Sequence, residues 1–140
     1  MNVIVMNRAQ ASSYSYADKG IKTAMISITD VNKEDNDIKI DKDNVAFLLR
    51  RKFLDVVDPE DPNSITIEQA MEIAKFVMRH KKAVRQIIVH CEGGISRSAG
   101  VAAAILKYLN NNDSEIFDSP KYCPNILAYR RVLEAFYSLE

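Results

Sequence analysis

The sequence predicts a single α/β domain over residues 1–140, a central, largely parallel sheet flanked by helices. Three observations lead there. Short apolar runs, several of them β-branched, alternate along the chain with helix-period patterns. One run, Gln86-Ile87-Ile88-Val89-His90, is too short for a helix, lies between loops and reads as a buried strand. The composition is that of an ordinary globular domain, 140 residues with 47% hydrophobic and 27% charged side chains, enough chain to bury a core without disulfide staples.

The elements follow in order. Val3-Ile4-Val5 reads as a first strand. Residues 8 to 18 are polar and Ala-rich, a helix or an irregular turn that Gly20 ends. Ala24 to Ile28 is a second strand. Residues 30 to 43 mix acids (Asp30, Glu34, Asp35, Asp37, Asp41, Asp43) with Lys33, Lys39 and Lys42, which reads as a solvated loop or hairpin. A calcium loop would need a central Gly and a closing Glu that this stretch lacks. An apolar run over 45–54 ends at Asp55, and DVVDPEDPNS from 55 to 64 is a loop. Thr66 with Gln69 has capping-box spacing. The helix it opens puts Ile67, Ala70, Met71, Ala74, Val77 and Met78 on one face and closes on Arg79-His80-Lys81-Lys82, cations suited to the negative end of the helix dipole. After the strand 86–90, residues 97–109 are apolar nearly all round and make a buried helix. A terminal amphipathic helix over 125–138 aligns Ile126, Tyr129, Leu133 and Phe136.

Charge and cysteine content exclude several classes. Lys plus Arg is 19 and Asp plus Glu is 19, so the net charge is zero and anion binding must be local. Zero net charge and the absence of tryptophan count against nucleic acid. The longest apolar stretch is far too short to span a bilayer, so no membrane partner is expected. The start, MNVIVMNRAQ, lacks the basic and hydrophobic regions of a secretion signal. Cys91 and Cys123 are too few for a disulfide framework, and a reducing, cytoplasmic setting is expected. His80 and His90 do not have metal-ligand spacing, so neither a metal nor another cofactor is implied.

The chemistry concentrates in Val89-His90-Cys91-Glu92-Gly93-Gly94-Ile95-Ser96-Arg97-Ser98. A buried strand ends at a cysteine, a Gly-containing loop follows, and an arginine opens a buried helix. Consecutive glycines let successive N–H groups turn into one concavity, an anion nest. The helix aims its positive end at the same point. Arg97 can clamp two phosphate oxygens with its planar fork. At the bottom of such a cup the thiolate of Cys91 is favoured, and a thiolate facing a bound phosphate is a nucleophile for phosphorus.

Cys91, five residues, then Arg97, with His90 before and Ser98 after, resembles the signature loop of the cysteine-dependent protein tyrosine phosphatases, and within them the small dual-specificity-like branch. The resemblance extends to the helix Thr66–Lys82 ahead of the signature strand. It also extends to Cys123-Pro124-Asn125, similar to the Ser-Pro-Asn that opens that family's last helix. It covers roughly residues 45–138 and is weakest over 1–44. It implies that Cys91 attacks phosphorus, that Arg97 and the amides from Glu92 through Gly93, Gly94, Ile95 and Ser96 hold the phosphate, that Ser98 assists the sulfur as leaving group, and that His90 organises the loop. It also implies a general acid before the helix at 66. Counting back five residues from Thr66 ranks Asp61 first, then Asp58; strand register offers Asp55 third, and Glu60 lies among them.

The resemblance implies a phosphoprotein or phosphopeptide as partner, with phosphate, sulfate or vanadate as loop ligands. A shallow cleft would accept phosphotyrosine, with phosphoserine and phosphothreonine left open. The loop carries no lysine and one acid, Glu92, which disfavours highly charged lipid headgroups. Three other readings stand beside this one: a non-catalytic phosphate-binding pseudophosphatase, an RNA 5′-phosphatase, and a sulfur-transfer enzyme of rhodanese type. The basic clusters Arg50-Arg51-Lys52 and Arg79 to Arg85 read as solvated faces or as a rim of the cleft. Cys123 reads as structural, with a protective disulfide to Cys91 as its alternative.

Overall fold

A computed structural model describes residues 1–17, 20–34, 38–40, 43 and 45–140. Part of the acidic stretch 30–43, including Asp35, Asp37, Asp41 and Lys42, therefore lies outside the described residues. The elements run β1 (Asn2–Met6), α1 (Arg8–Ala17), β2 (Thr23–Thr29), β3 (Phe47–Lys52), α2 (Ile67–His80), β4 (Gln86–His90), α3 (Arg97–Asn110), α4 (Ser114–Phe117) and α5 (Ile126–Ser138). The four strands form one sheet in the order β1-β4-β2-β3, with every pairing parallel. Among the described residues no helix is long and apolar enough to cross a membrane.

Alternation along the strands sorts side chains between two cores. Val3, Val5, Ala24, Ile26, Ile28, Ile87 and Val89 face the larger one, which α2, α3 and α5 cover. Met25 and Ile88 face the smaller one with Ala11 and Tyr14 of α1, and with Ile38 and Val45. Helices thus cover both faces of the sheet, as the chain's alternation of elements requires.

Two helical faces differ from expectation. On α2 the buried residues are Ala70, Ile73, Ala74, Phe76 and Val77, whereas Ile67 is 65% exposed and Met71 and Met78 are only partly buried. The helix packs against both α5 and β3, so its buried arc is wider than one stripe, and Ile67 at its first turn lies beyond the core. On α5 the buried set is Leu127, Ala128, Val132, Ala135 and Phe136, with Ile126 exposed and Tyr129 and Leu133 partly so. α5 touches α2 and α3 together, and that turns its face by about one residue from the expected stripe. The short α4, four residues long, is too brief to leave a periodic signal in the sequence.

Because all four strands run the same way, their carboxyl ends emerge on one side. The junction to α1, the turn after β2, the loop after β3 and the loop after β4 therefore share that side, where open parallel sheets bind ligands. The loop after β3 is pinned at its base. Leu54 N–H donates to the Asn63 carbonyl at 2.7 Å, and the Gln69 amide donates to the Lys52 carbonyl at 2.7 Å. Thr66 and Gln69 form the expected capping box at the start of α2.

Candidate active site

β4 ends at His90, and Cys91 starts the loop that leads into α3 at Arg97. Cys91 is buried, and its Sγ lies 3.0 Å from the hydroxyl of Ser98, the second residue of the helix. Among the described residues, no backbone N–H from Glu92 to Arg97 donates to a backbone carbonyl, so these amides keep their donor capacity for a ligand.

The loop is wedged between two parts of the fold. On one side Gly94 adopts φ +65, and a Cβ there would lie 2.6 Å from the Asn7 nitrogen. Only glycine allows both the left-handed backbone and that approach. Arg8 completes the contact: its N–H donates to the Glu92 carbonyl at 3.1 Å and its Nη1 to Glu92 Oε1 at 3.0 Å. On the other side Cys123 N–H donates to the Ile95 carbonyl at 3.0 Å, and Asn125 N–H to the Ser96 carbonyl at 2.9 Å. Gly100 lets α3 come this close to Asn125, since a Cβ would lie 2.4 Å from its carbonyl oxygen.

Arg97 is buried, and one of its nitrogens is fully committed. Nη1 donates to Asp30 Oδ1 and to the Phe53 carbonyl, each at 2.7 Å. Two protons on Nη1 match two acceptors, which leaves the Nε and Nη2 edge of the guanidinium for a bidentate ligand. From the sequence alone Asp30 is one acid in a solvated stretch. It stands at the carboxyl end of β2, next to β4, and only sheet order reveals that.

Position also separates the acids after β3. Asp55 lines a cavity of about 310 Å³ together with Cys91, Gly93, Ile95, Ser96 and Arg97. Its Oδ1 accepts from the Ser96 hydroxyl at 2.7 Å and from the Asn125 amide at 2.9 Å. Ser96 is the N-cap residue of α3 but makes no side-chain cap, because its hydroxyl is turned to Asp55. Asn125 also caps α5 at Ala128 N–H and donates to the Val56 carbonyl. Asp61 and Asp58 are spent locally: Asp61 Oδ1 accepts from Asn63 N–H and Asp58 Oδ1 from Glu60 N–H, side-chain turns within the loop. Neither lines the cavity, and nor does Glu60. Counting back from the helix arrives at an acid outside the cavity, because these two turns take up the intervening residues.

His90 faces the smaller core. Burial pushes its pKa down to about 4, against the raising effect of its bond to the Cys91 carbonyl. A neutral imidazole has one N–H. The Cys91 carbonyl, 3.2 Å from Nδ1, can only accept, so Nδ1 carries the proton. Nε2 then accepts from the Ser27 hydroxyl at 2.6 Å. Ser27 is His90's register partner on β2, and it fixes the ring from the adjacent strand.

Other candidates lie elsewhere. Lys81, Lys82 and Arg85 line a depression of about 700 Å³ with Met1, at the amino ends of the strands, so the Arg79 to Arg85 cluster does not rim the cleft. On β3, Arg50 donates to the Ile38 carbonyl, and Arg51 pairs with Glu72 of α2. His80 stacks on Phe47 with ring centroids 3.9 Å apart. Among the described residues no group of His, Cys, Asp and Glu could hold a metal ion. Cys91 and Cys123 are both free.

Comparison with known proteins bears on the family and the fold. A family model described as "Polymorphic toxin system, DSP-PTPase phosphatase" matches residues 1–110. The match takes in the first 44 residues, where the sequence resemblance is weakest. No curated protein matches the chain by sequence. Among solved structures, human DUSP28 aligns with a TM-score of 0.66 at 17% identity, covering 98% of this chain and 92% of that one. A mouse putative dual specificity phosphatase complexed with zinc tungstate aligns at 0.64 and 17%, covering 98% and 83%. PTPMT1 in complex with PI(5)P aligns at 0.62 and 15%, covering 99% and 92%. At these identities the likeness is one of fold.

Proposed function

We propose, from the premise that the chain belongs to the DSP-PTPase phosphatase family of polymorphic toxin systems and so to the small dual-specificity-like branch of the cysteine-based phosphatases, that it hydrolyses phosphotyrosine in proteins through a cysteinyl-phosphate intermediate. Phosphoserine and phosphothreonine are further substrates to test. The observation that carries this reading is the meeting of Cys91, Arg97 and Asp55 in one cavity, with Ser98 3.0 Å from the sulfur.

The reaction has two steps. In the first, Cys91 Sγ attacks phosphorus, the S–P bond forms and the P–O bond to the leaving group breaks. Asp55 gives its proton to the departing oxygen. Asp55 Oδ1 already holds two donors, so Oδ2 is the oxygen that carries and later recovers the proton. In the second step water attacks phosphorus, Asp55 takes its proton, and the S–P bond breaks. Inorganic phosphate leaves, and the sulfur departs as a thiolate accepting from the Ser98 hydroxyl. Through both steps the Nε and Nη2 edge of Arg97 and the amides of the loop hold the equatorial oxygens. Asp30 and the Phe53 carbonyl orient Arg97, Ser96 and Asn125 orient Asp55, and His90 with Ser27 holds the Cys91 carbonyl. A reducing, cytoplasmic setting would keep Cys91 available for this chemistry.

The test is hydrolysis of p-nitrophenyl phosphate with EDTA present, wild type beside Cys91→Ser, from pH 4 to 9. Turnover that survives EDTA and vanishes in the variant supports the mechanism. Turnover retained by Cys91→Ser rejects the nucleophile. Vanadate binding without turnover by wild type turns the reading to a phosphate-binding module.

A further inference from the structure

We propose that α5 carries a self-association surface, on which a second copy of this chain docks antiparallel across a two-fold axis between Arg130 and Glu134. The surface is separate from the cup, and its test does not depend on the phosphatase reading.

α5 is apolar over more of its circumference than the fold covers. Leu127, Ala128, Val132, Ala135 and Phe136 are buried against the core. Ile126, Tyr129, Leu133 and Tyr137 lie outside that set, and with Arg130 and Glu134 they line a groove of about 320 Å³. Ile126 is 43% exposed and Tyr137 51%, while Tyr129 and Leu133 are only partly buried. The six positions are spaced i, i+3, i+4, i+7, i+8 and i+11, one continuous stripe along about 17 Å of helix. Phe117 of α4, 39% exposed, widens the stripe, its ring edge-on to Tyr129 with centroids 5.0 Å apart. A helix apolar on both faces is one that is covered on both, and a contiguous apolar patch marks a surface where another molecule docks.

The charges select the occupant. Arg130 and Glu134 are the two charged residues lining the groove, and both are exposed. Among the described residues neither side chain makes an ion pair or hydrogen bond. Asp113, Arg131 and Glu140, beside the stripe, are bonded elsewhere: Asp113 accepts from the Tyr129 hydroxyl at 2.6 Å, Arg131 donates to the Ile65 carbonyl at 2.7 Å and Glu140 accepts from the Tyr108 hydroxyl at 3.0 Å. Arg130 and Glu134 stand about one turn apart, each about 3 Å along the helix from the level of residue 132. A two-fold axis at that level sets each Arg130 opposite the other copy's Glu134, twice over. The same operation brings Leu133 to its own counterpart and Ile126 against Tyr137. The stripe thus complements itself in charge and in hydropathy together, as an isologous dimer requires. Parallel pairing in register would instead oppose Arg130 to Arg130. With a net charge of zero, two copies approach without long-range repulsion.

The experiment is sedimentation velocity of the whole chain at low salt and up to about 200 μM. Wild type is compared with Arg130→Glu, with Glu134→Arg, with the variant carrying both changes, and with an equimolar mixture of the two single variants. Wild type is expected to dimerise with a Kd of about 1–100 μM, the weak range suited to a surface built on one helix. Each single variant is expected to lose about tenfold or more in affinity, because both of its pairs across the axis become like-charged. The double variant and the mixture are both expected to recover dimer, since each restores two opposite-charge pairs, and that recovery also shows the single variants to be folded. Single variants that dimerise as well as wild type, or failure of either the double variant or the mixture to recover, would overturn the proposal. So would a wild type that stays monomeric throughout; if that monomer bound phosphatidylcholine vesicles, and Leu133→Glu did not, the face would belong to a bilayer and not to a second copy.

Discussion

Asp30 Oδ1 lies 2.7 Å from Arg97 Nη1, and the Phe53 carbonyl lies 2.7 Å from the same nitrogen. These two bonds come from loops that leave different strands, and they fix the plane of the guanidinium before any ligand arrives. Pre-orientation of this kind acts on binding more than on the chemical step. Asp30→Ala is therefore expected to raise KM for p-nitrophenyl phosphate, and to weaken vanadate inhibition, by about tenfold, with a smaller fall in kcat. Asp30→Asn keeps an acceptor oxygen and should fall between. A kcat loss at unchanged KM would reject the positioning role.

The acid assignment separates by leaving group. Asp55→Asn should lower kcat on alkyl phosphates by about 10²- to 10⁴-fold, and much less on p-nitrophenyl phosphate, whose leaving group needs no proton. Asp61→Asn and Asp58→Asn should leave both rates close to wild type, because those carboxylates serve turns. An equal drop on both substrates for Asp55→Asn, or a larger one at Asp61, would move the role elsewhere.

His90 makes the fold sensitive to acid. Its folded pKa, about 4, lies below the unfolded value of 6.5. Between those values the unfolded chain holds a proton that the folded one refuses. Stability contributed by the neutral ring is therefore complete above pH 6.5 and is lost as pH falls towards 4, by about 3 kcal/mol in all. Urea unfolding of wild type and His90→Gln between pH 4 and 7.5 checks this. The variant should be less stable near neutrality but show a shallower decline on acidification, and parallel declines would contradict it.

The two loop glycines should differ sharply. Gly94→Ala forces a Cβ into the Met6–Asn7 backbone at a positive φ, whereas a Cβ on Gly93 would meet only the Ile95 side chain at 3.8 Å. Gly94→Ala is expected to cost about 1–3 kcal/mol and to abolish most activity, while Gly93→Ala remains folded and active. Thermal unfolding and p-nitrophenyl phosphate turnover together distinguish the two.

What the sequence made legible was local. Cys91, Arg97 and Ser98 sit within one strand-to-helix junction, so their spacing alone brings them together. The Thr66–Gln69 capping box and the strand at Gln86 could likewise be read from neighbours in the chain. Asp30, Ser27 and Arg8 could not, because each joins the site through strand order: β2 and β1 flank β4 only once the sheet is assembled. Asp55 is visible as a strand-end acid, but that it and not Asp61 lines the cavity depends on turn geometry, and side-chain turns are hard to distinguish from open loop by composition. The faces of α2 and α5 shifted because each packs against two partners, whereas a periodicity argument assumes one.

The hydroxyl of Ser96 is given to Asp55 and not to the helix it precedes. α3 thus begins with no side-chain acceptor at its own N-cap, and an oxyanion in the cup can take that place. Ligand occupancy and folding are then linked: an anion that binds only the folded chain raises the melting temperature in proportion to the logarithm of its concentration. At a hundredfold excess over Kd the gain is about 2.7 kcal/mol. Melting temperature can therefore report occupancy of the cup without any turnover, even in the inactive Cys91→Ser variant.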